Sequence, residues 1–351
     1  MGDLGRTLVA AALLGSVTAG CGPSSGGGQR TAAAAAPATH HQAPFAQVAT
    51  NLPAQLVPLP QDYLVNGGDP VHVPIEIESD RFSDRHPTTA PGVLKVVTWN
   101  VEWGRHSVKV ADQLAIDPAL ADADVLVLTE VARHDPESRP AGLNQARRLA
   151  RSLRMDYVIA PEWDRRLEVQ GGGEHGTAIL SKYPIGNLTH LRHTPTYDHY
   201  GKLGRIGGRH TLGADLMVAG HRIRLYAVHF ATRDLGPGRA QQLAEVLADA
   251  NRPGRPPLQI LAGDLNTWTC NPLRYDCTLP PAAEPAVRDL LAAGWDDSTA
   301  GFKSFTQLGI GFFPQRLDWI FSRGLAVVPG GRAVPTDASD HLPLYAEFAL
   351  P

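Results

Sequence analysis

From about Pro91 to the C-terminus, apolar residues fall in short runs bounded by Gly, Pro and Asp. Short apolar runs rich in β-branched residues read as strands. They predict strands at Leu94 to Trp99, Val125 to Thr129, Tyr157 to Ala160, Thr177 to Leu180, Thr211 to Val218, Ile223 to Phe230, Leu258 to Ala262, Leu317 to Phe321 and Leu344 to Phe348. Between them the apolar spacing turns helical. Leu143, Ala146, Leu149 and Leu153 share one face of a helix over Ala141 to Leu153, and Ala240, Leu243, Leu247 and Ala250 do so over Arg239 to Ala250. A third helix is predicted at Pro285 to Ala293, where Pro near the start suits a first turn. Strands outnumber helices, which predicts a mixed, layered domain with two packed sheets.

Upstream of Pro91 the pattern is different. Arg6 precedes an apolar run from Leu8 to Val17, then small residues Thr18-Ala19-Gly20 and Cys21. The run is too short to cross a bilayer, which needs about 20 apolar residues, and reads as an export signal. Small residues directly before a Cys resemble a bacterial lipoprotein cleavage site, so Cys21 is the expected lipidation point and membrane tether of a cell-surface lipoprotein. An ordinary secretory signal is the alternative. Gly- and Pro-rich sequence follows, with an alanine run from Ala32 to Ala36, and reads as a poorly ordered tether to about Pro60. Val71 to Ile77 alternates and offers one edge strand, where Pro is tolerated. The expected organisation is a signal over 1–21, a linker over 22–90 and a folded domain over 91–351.

Composition narrows this further. The 351 residues are 43% hydrophobic and 19% charged with a net charge of −3, which excludes a coiled coil, a disordered chain and a bulk basic field for nucleic acid or anionic lipid. Three cysteines are too few for a disulfide-built scaffold. With Cys21 lipidated, Cys270 and Cys277 remain as a pair that an oxidising compartment would allow to bridge; two free buried thiols are the alternative.

Polar residues recur at the C-terminal ends of the predicted strands: Thr98-Trp99-Asn100-Val101-Glu102, Leu128-Thr129-Glu130, Val228-His229-Phe230, Gly263-Asp264-Leu265-Asn266, Arg316-Leu317-Asp318-Trp319-Ile320 and Ser339-Asp340-His341. Each alone has a bland reading, since Asp and Asn suit turns and a single His is often core. Taken in this order, they resemble the endonuclease/exonuclease/phosphatase superfamily, relatives of deoxyribonuclease I, over roughly Pro91 to Pro351. The resemblance includes the Gly176 to Ser181 strand and the closing Ser-Asp-His. It implies an α+β fold, a four-layered α/β/β/α sandwich.

The resemblance also implies roles. Phosphodiester hydrolysis needs charge neutralised on the phosphoryl oxygens, an activated water and a protonated leaving oxygen. Glu130, Asn100, Glu102 and Asp340 offer the oxygen ligands that a hard cation prefers, Mg²⁺ by default with Mn²⁺ able to substitute. For Glu102 a surface charge is the other reading. Asp264 would position or deprotonate the attacking water, with Asn266 donating to the phosphoryl oxygens. His341 would contact the scissile phosphate, with Asp318 fixing its tautomer and favouring its cation, and His229 would donate to a phosphate oxygen or the leaving group. Arg209 is a candidate for substrate binding, with a plain surface charge as the alternative. Aromatics at Phe302, Phe305, Phe312 and Phe313 are either a lipid-dipping tip or core, and the basic residues between His190 and His210 either a substrate loop or solvated surface. The expected substrate is DNA or RNA; a phospholipid or small phosphate ester is the second reading, and an inactive binding module a third. A monomer without a protein partner is expected.

Overall fold

The computed structural model describes residues 44–47, 55–57, 63–64, 70–71, 75–84, 86–87, 92–134, 142–165, 172–194, 205–232, 236–268, 284–302, 304–310 and 313–351. The chain divides into two compact units, Met1–Thr39 and His40–Pro351, and every described residue belongs to the second. The export signal, Cys21, Cys270 and Cys277 therefore lie outside the described residues, as does Phe312.

The strands, in chain order, are β1 (Gln55–Val57), β2 (Tyr63–Leu64), β3 (Pro70–Val71), β4 (Ile75–Asp80), β5 (Leu94–Asn100), β6 (Val125–Arg133), β7 (Asp156–Asp164), β8 (Glu174–Ser181), β9 (Ile185–Arg192) and β10 (Ile206–Gly207). They continue as β11 (His210–Val218), β12 (His221–His229), β13 (Leu258–Asp264), β14 (Asp296–Asp297), β15 (Gln307–Ile310), β16 (Phe313–Gln315), β17 (Asp318–Arg323), β18 (Ala326–Val328) and β19 (Leu344–Ala349). Helices α1 (Ser107–Ile116), α2 (Gln145–Leu153), α3 (Pro237–Ala250) and α4 (Pro285–Ala292) lie between them. One sheet has the order β1-β4-β7-β8-β6-β5-β19-β18, with β10 pairing β7; the second has the order β14-β17-β13-β12-β11-β9.

Three apolar clusters show why these layers stack. Alternate residues of a strand face opposite sides of its sheet. Val96, Val127 and Ile179 of the first sheet therefore meet Leu212, Leu225 and Ile260 of the second in a central core. Their neighbours Val97, Trp99 and Leu128 face outward onto Val110 and Leu114 of α1 and Ala146 and Leu149 of α2. On the far side, Tyr226, Val228 and Leu261 receive Leu243 and Val246 of α3 and Ala286 and Leu290 of α4. The result is helices, sheet, sheet, helices, the four layers expected. Local chemistry agrees. Asn144 caps α2 by accepting from Arg147 N at 2.9 Å, and Pro237 and Pro285 open α3 and α4.

The structure departs from the sequence reading in three places. The first sheet begins before Pro91, because Ile75–Asp80 pairs with β7 on one side and β1 on the other. Residues assigned to the tether thus belong to the domain, and the expected Val71 to Ile77 edge strand sits later and inside the sheet. Helix α1 was not foreseen, since its apolar residues divide between buried Val110 and Leu114 and exposed Val108 and Ile116. Strand β9 was missed because it is the edge of its sheet and carries the polar residues Asn187, Thr189, His190 and Arg192, none of them fully buried.

One glycine fixes the geometry that follows. Gly263 has φ +144°, and a Cβ built there would lie 1.9 Å from the Val228 carbonyl oxygen. Only glycine lets β12 and β13 close up directly before Asp264. We expect Gly263→Ala to destabilise the domain by about 2–4 kcal/mol in a denaturant titration; a loss under about 1 kcal/mol would contradict that close approach.

Candidate active site

The polar strand ends converge at one edge of the two sheets. Strands β5 and β6 run parallel, as do β12 and β13, so Asn100, His229 and Asp264 all stand at C-terminal ends. The antiparallel neighbour β17 begins there, its Asp318 in register with Asp264. Sequence reading placed Asp318 and His341 at strand ends like the rest; Asp318 in fact opens its strand, and His341 precedes one. Backbone strain is concentrated at this edge. Glu102, Trp103, Glu130 and Asn266 have φ between 46° and 57°, four of the eight non-glycine residues with positive φ among those described. A register shift between Leu128 and Val131 re-aims Glu130, as a bulge does beside many sites.

Asp264 is the hub. Its Oδ2 accepts from Asn100 Nδ2 at 3.1 Å and lies 3.6 Å from His229 Nε2 and 4.0 Å from His341 Nε2. Its Oδ1 accepts from the Asn266 backbone N–H at 2.8 Å. Burial alone would raise this carboxyl, but His341, His229 and the hydrogen bonds from Asn100 and Asn266 outweigh it and hold the group below its usual range. It is ionised at neutral pH. Asn266 Nδ2 donates one proton to the Phe230 carbonyl at 2.9 Å, which leaves its second amide proton for a ligand.

Each histidine has a carboxylate behind it. His341 Nδ1 donates to Asp318 Oδ2 at 2.7 Å, and the ring is pushed up to about 10: burial opposes the shift, but Asp318 and then Asp264 and Asp340 overcome it. His341 is thus a cation at neutral pH. It is anchored through its own backbone, with Trp99 Nε1 donating to its carbonyl at 2.9 Å and its N–H donating to Ser339 Oγ at 3.1 Å.

The second pair includes a residue that sequence reading missed. Glu162 on β7 is buried; its Oε2 lies 3.0 Å from His229 Nδ1 and accepts from Arg209 Nη1 at 2.9 Å, while its Oε1 accepts from Thr177 Oγ1 at 3.1 Å. Burial would raise Glu162, but the charges of His229 and Arg209 and the hydrogen bonds hold it below its usual range. Arg209 Nη1 is also 2.7 Å from His229 Nδ1. A neutral ring whose Nδ1 accepts from Arg209 carries its proton on Nε2, facing Asp264. The predicted strand stopped at Ala160, two residues short, and Glu162 follows a proline; a carboxylate just past a strand end, like Glu130, was the available signal. Arg209 is no plain surface charge, since its side chain is only 9% exposed and closes this network.

The oxygen donors divide. Glu130 Oε1 is 4.0 Å from His229 Nε2; burial raises its carboxyl most, against the pull of His229, Arg209 and His341. The Glu102 backbone N–H donates to Asn100 Oδ1 at 3.1 Å, whereas its carboxylate accepts from Arg105 at 2.7 Å. Asp340 is exposed, beside Ser339 Oγ at 3.5 Å. Among the described residues, the acidic and His atoms gathered within 4.8 Å of one another are those of Asp264, Asp318 and His341, not those of Glu102, Glu130 and Asp340. Asn100 and Glu130 lie at the ends of paired strands near Asp264 and carry oxygens of the kind a hard divalent cation prefers, and a cation there would restore the ionised form that burial disfavours in Glu130.

Residues 97–341 match the family described as Endonuclease/Exonuclease/phosphatase family. No curated relative matches in sequence. Among solved structures, an endonuclease/exonuclease/phosphatase from Beutenbergia cavernae DSM 12333 is similar at 21% identity with a TM-score of 0.53, covering 74% of this chain and 72% of that one. The human Nocturnin catalytic domain with bound sulfate anion is similar at 18% identity and TM-score 0.53, over 79% and 98%. A humanized D. rerio TDP2 is similar at 19% and 0.51, over 74% and 100%. These likenesses establish the fold. With the family pattern spanning residues 97–341, the chain belongs to the endonuclease/exonuclease/phosphatase family of phosphoester hydrolases.

Proposed function

We propose that the protein is an exported, divalent-metal-dependent phosphodiesterase that cleaves nucleic acid. The observation that carries this reading is the pair of carboxylate-backed histidines, Glu162–His229 and Asp318–His341, set on either side of the ionised Asp264 at 3.6 and 4.0 Å. Two nitrogen donors facing one base is the layout an in-line displacement at phosphorus needs.

Asp264 orients a water and accepts its proton as the water's oxygen bonds to phosphorus. His341, cationic through Asp318, donates to a phosphoryl oxygen where negative charge grows. His229 Nε2 donates to the leaving oxygen as the ester bond breaks, and Glu162 with Arg209 holds that ring upright. Glu130 and Asn100 would hold the cation, with Asp340 and Glu102 at its margin; Mg²⁺ would neutralise phosphoryl charge there. Export rests on the Arg6 to Cys21 pattern, and tethering at the cell surface on lipidation of Cys21.

Two observations favour a lipid head group as the second reading. Trp268, 51% exposed, follows the Asn266 turn, and Leu308, 49% exposed, bonds through its N–H to the Asp340 carbonyl. Each is an exposed apolar side chain tied to a candidate site residue, by chain proximity to Asn266 or by the bond to Asp340. The two readings separate when the full chain is incubated with plasmid DNA, RNA, phospholipid vesicles and bis(p-nitrophenyl) phosphate, with Mg²⁺ or EDTA. We expect metal-dependent cleavage of nucleic acid and of the chromogenic diester. Cleavage of vesicle lipid alone would select the second reading, and full activity in EDTA would end both.

A further inference from the structure

Asp318 and His341 stand 23 residues apart in the chain, and each sits where its sheet gives out. Asp318 opens β17, and His341 precedes β19. On one flank of β17, Asp318 is in register with Asp264 of β13. On the other flank, β14 pairs with Phe321 and Ser322, and no described strand reaches back to Leu317 and Asp318. Thr306 fills that flank. It is fully buried, and its Oγ1 accepts from the Leu317 N–H and the Asp318 N–H, each at 3.0 Å.

The same residue reaches the other half of the pair. Its backbone N–H donates to the Gln315 carbonyl at 2.9 Å, and its carbonyl accepts from the Leu342 N–H at 2.6 Å. Gln307, the next residue, faces His341 across an antiparallel bridge, and the Leu308 N–H donates to the Asp340 carbonyl at 2.8 Å. Residues 306–308 therefore run beside 340–342 as a short ladder, bonded to the chain on both sides of His341. One residue thus ties the backbone at Asp318 to the backbone at His341.

The side chains of the pair depend on that tie. Asp318 Oδ2 takes the 2.7 Å bond from His341 Nδ1, whereas Oδ1 is buried without a hydrogen-bond partner. With one oxygen unanchored, the aim of the carboxylate comes from the backbone that carries it. Burial raises the Asp318 carboxyl; the His341 cation opposes this most, and the Thr306 hydroxyl, which keeps its own proton after accepting twice, opposes it further. A β-branched side chain is stiff about χ1, and burial leaves this hydroxyl little freedom to swing away. We propose that Thr306 is the positioning residue of the catalytic pair: its hydroxyl sets Asp318, its carbonyl sets the chain beside His341, and the two together hold the 2.7 Å bond between them. This role rests on the phosphodiesterase reading above and adds to it a residue that touches no substrate.

The test uses the full chain, in which Thr306→Val keeps the shape of the side chain and removes its hydroxyl. With Mg²⁺, kcat on bis(p-nitrophenyl) phosphate should fall about 10- to 100-fold, the scale of a small misplacement, while KM changes less than about 3-fold. Thr306→Ser returns the hydroxyl and should recover kcat to within about 3-fold of wild type. In an Asp318→Asn background, Thr306→Val should cost less than about 3-fold, because no carboxylate is left to aim. A residue that only supports the fold would give equal losses in both backgrounds. The proton on His341 Nδ1 supplies a readout independent of turnover. Bonded to a carboxylate at 2.7 Å, it should resonate far downfield in the ¹H NMR spectrum, identified by its absence from Asp318→Asn. Thr306→Val should shift or broaden that resonance, and Thr306→Ser should restore it. Valine leaves two buried N–H groups without an acceptor, so thermal unfolding is followed for each variant. If the valine variant does not fold, Thr306→Ala, whose smaller side chain admits water to both groups, takes its place in every comparison. Serine as impaired as valine or alanine, equal losses in the two Asp318 backgrounds, or a downfield proton unmoved by loss of the hydroxyl overturns the positioning role. A wild type that hydrolyses no diester ends the phosphodiesterase reading, and the proton resonance then decides the role of Thr306 alone.

Discussion

Asp264→Asn is expected to lower kcat on bis(p-nitrophenyl) phosphate by about 10³- to 10⁴-fold, the upper part of the range for a lost general base. The substitution is nearly isosteric and keeps the local fold. The amide oxygen can still accept from the Asn266 N–H, which spans 2.8 Å in the native protein, so the turn that follows β13 remains closed. What is lost is the negative charge between two rings whose nearest nitrogens are 3.6 and 4.0 Å away. Proton acceptance from water fails, and the cationic form of His341 loses one of its supports. Steady-state kinetics with Mg²⁺ distinguish these effects from a binding defect: KM should change far less than kcat. A fall in kcat below ten-fold would remove Asp264 from the role of base. Thermal unfolding should place the variant close to the wild type, since a large drop there would mean that the kinetics report folding.

The sequence made the layers legible because their cause is periodic. Val96 and Val97 face opposite cores, as do Val127 and Leu128, and such alternation over a run bounded by Gly and Asp is visible without coordinates. It was silent where burial is partial. β9 borders solvent, and α1 turns only Val110 and Leu114 inward, so neither writes a strong period. The site was legible in the same uneven way. Asn100, His229 and Asp264 close predicted strands, and the order of their motifs carried the family resemblance. Glu162 did not show, because its importance is purely spatial: three partners from β8, β11's approach and β12 meet it across 15, 47 and 67 residues of chain. Arg209 divided the reading between surface and site, and only the position of Glu162 decides it.

The carboxylate behind His341 can be tested apart from the chemistry. In the metal-free protein, His341 should remain protonated until about pH 10, and Asp318→Asn should lower that midpoint by about 2–4 units, followed by the ring C–H resonance in an NMR titration. The direction follows from the contributions to the native value. Burial favours the neutral ring, Asp318 at 2.7 Å is the largest force against it, and Asp264 and Asp340 supply the remainder. The linkage to stability has a definite sign. A histidine whose folded pKa is about 10 against an ordinary 6.5 stabilises the fold fully below pH 6.5, and the contribution fades as pH rises through 10. Wild type should therefore lose stability over that alkaline window, and Asp318→Asn should lose much less there. The catalytic consequence goes the same way. At pH 8 the variant's ring has lost half or more of its protons, so kcat should fall about 2- to 100-fold from this cause, with recovery toward pH 6 as the ring regains its proton. A variant whose His341 titrates as in the wild type, or whose loss is flat with pH, would show that Asp318 acts only as a prop for the ring.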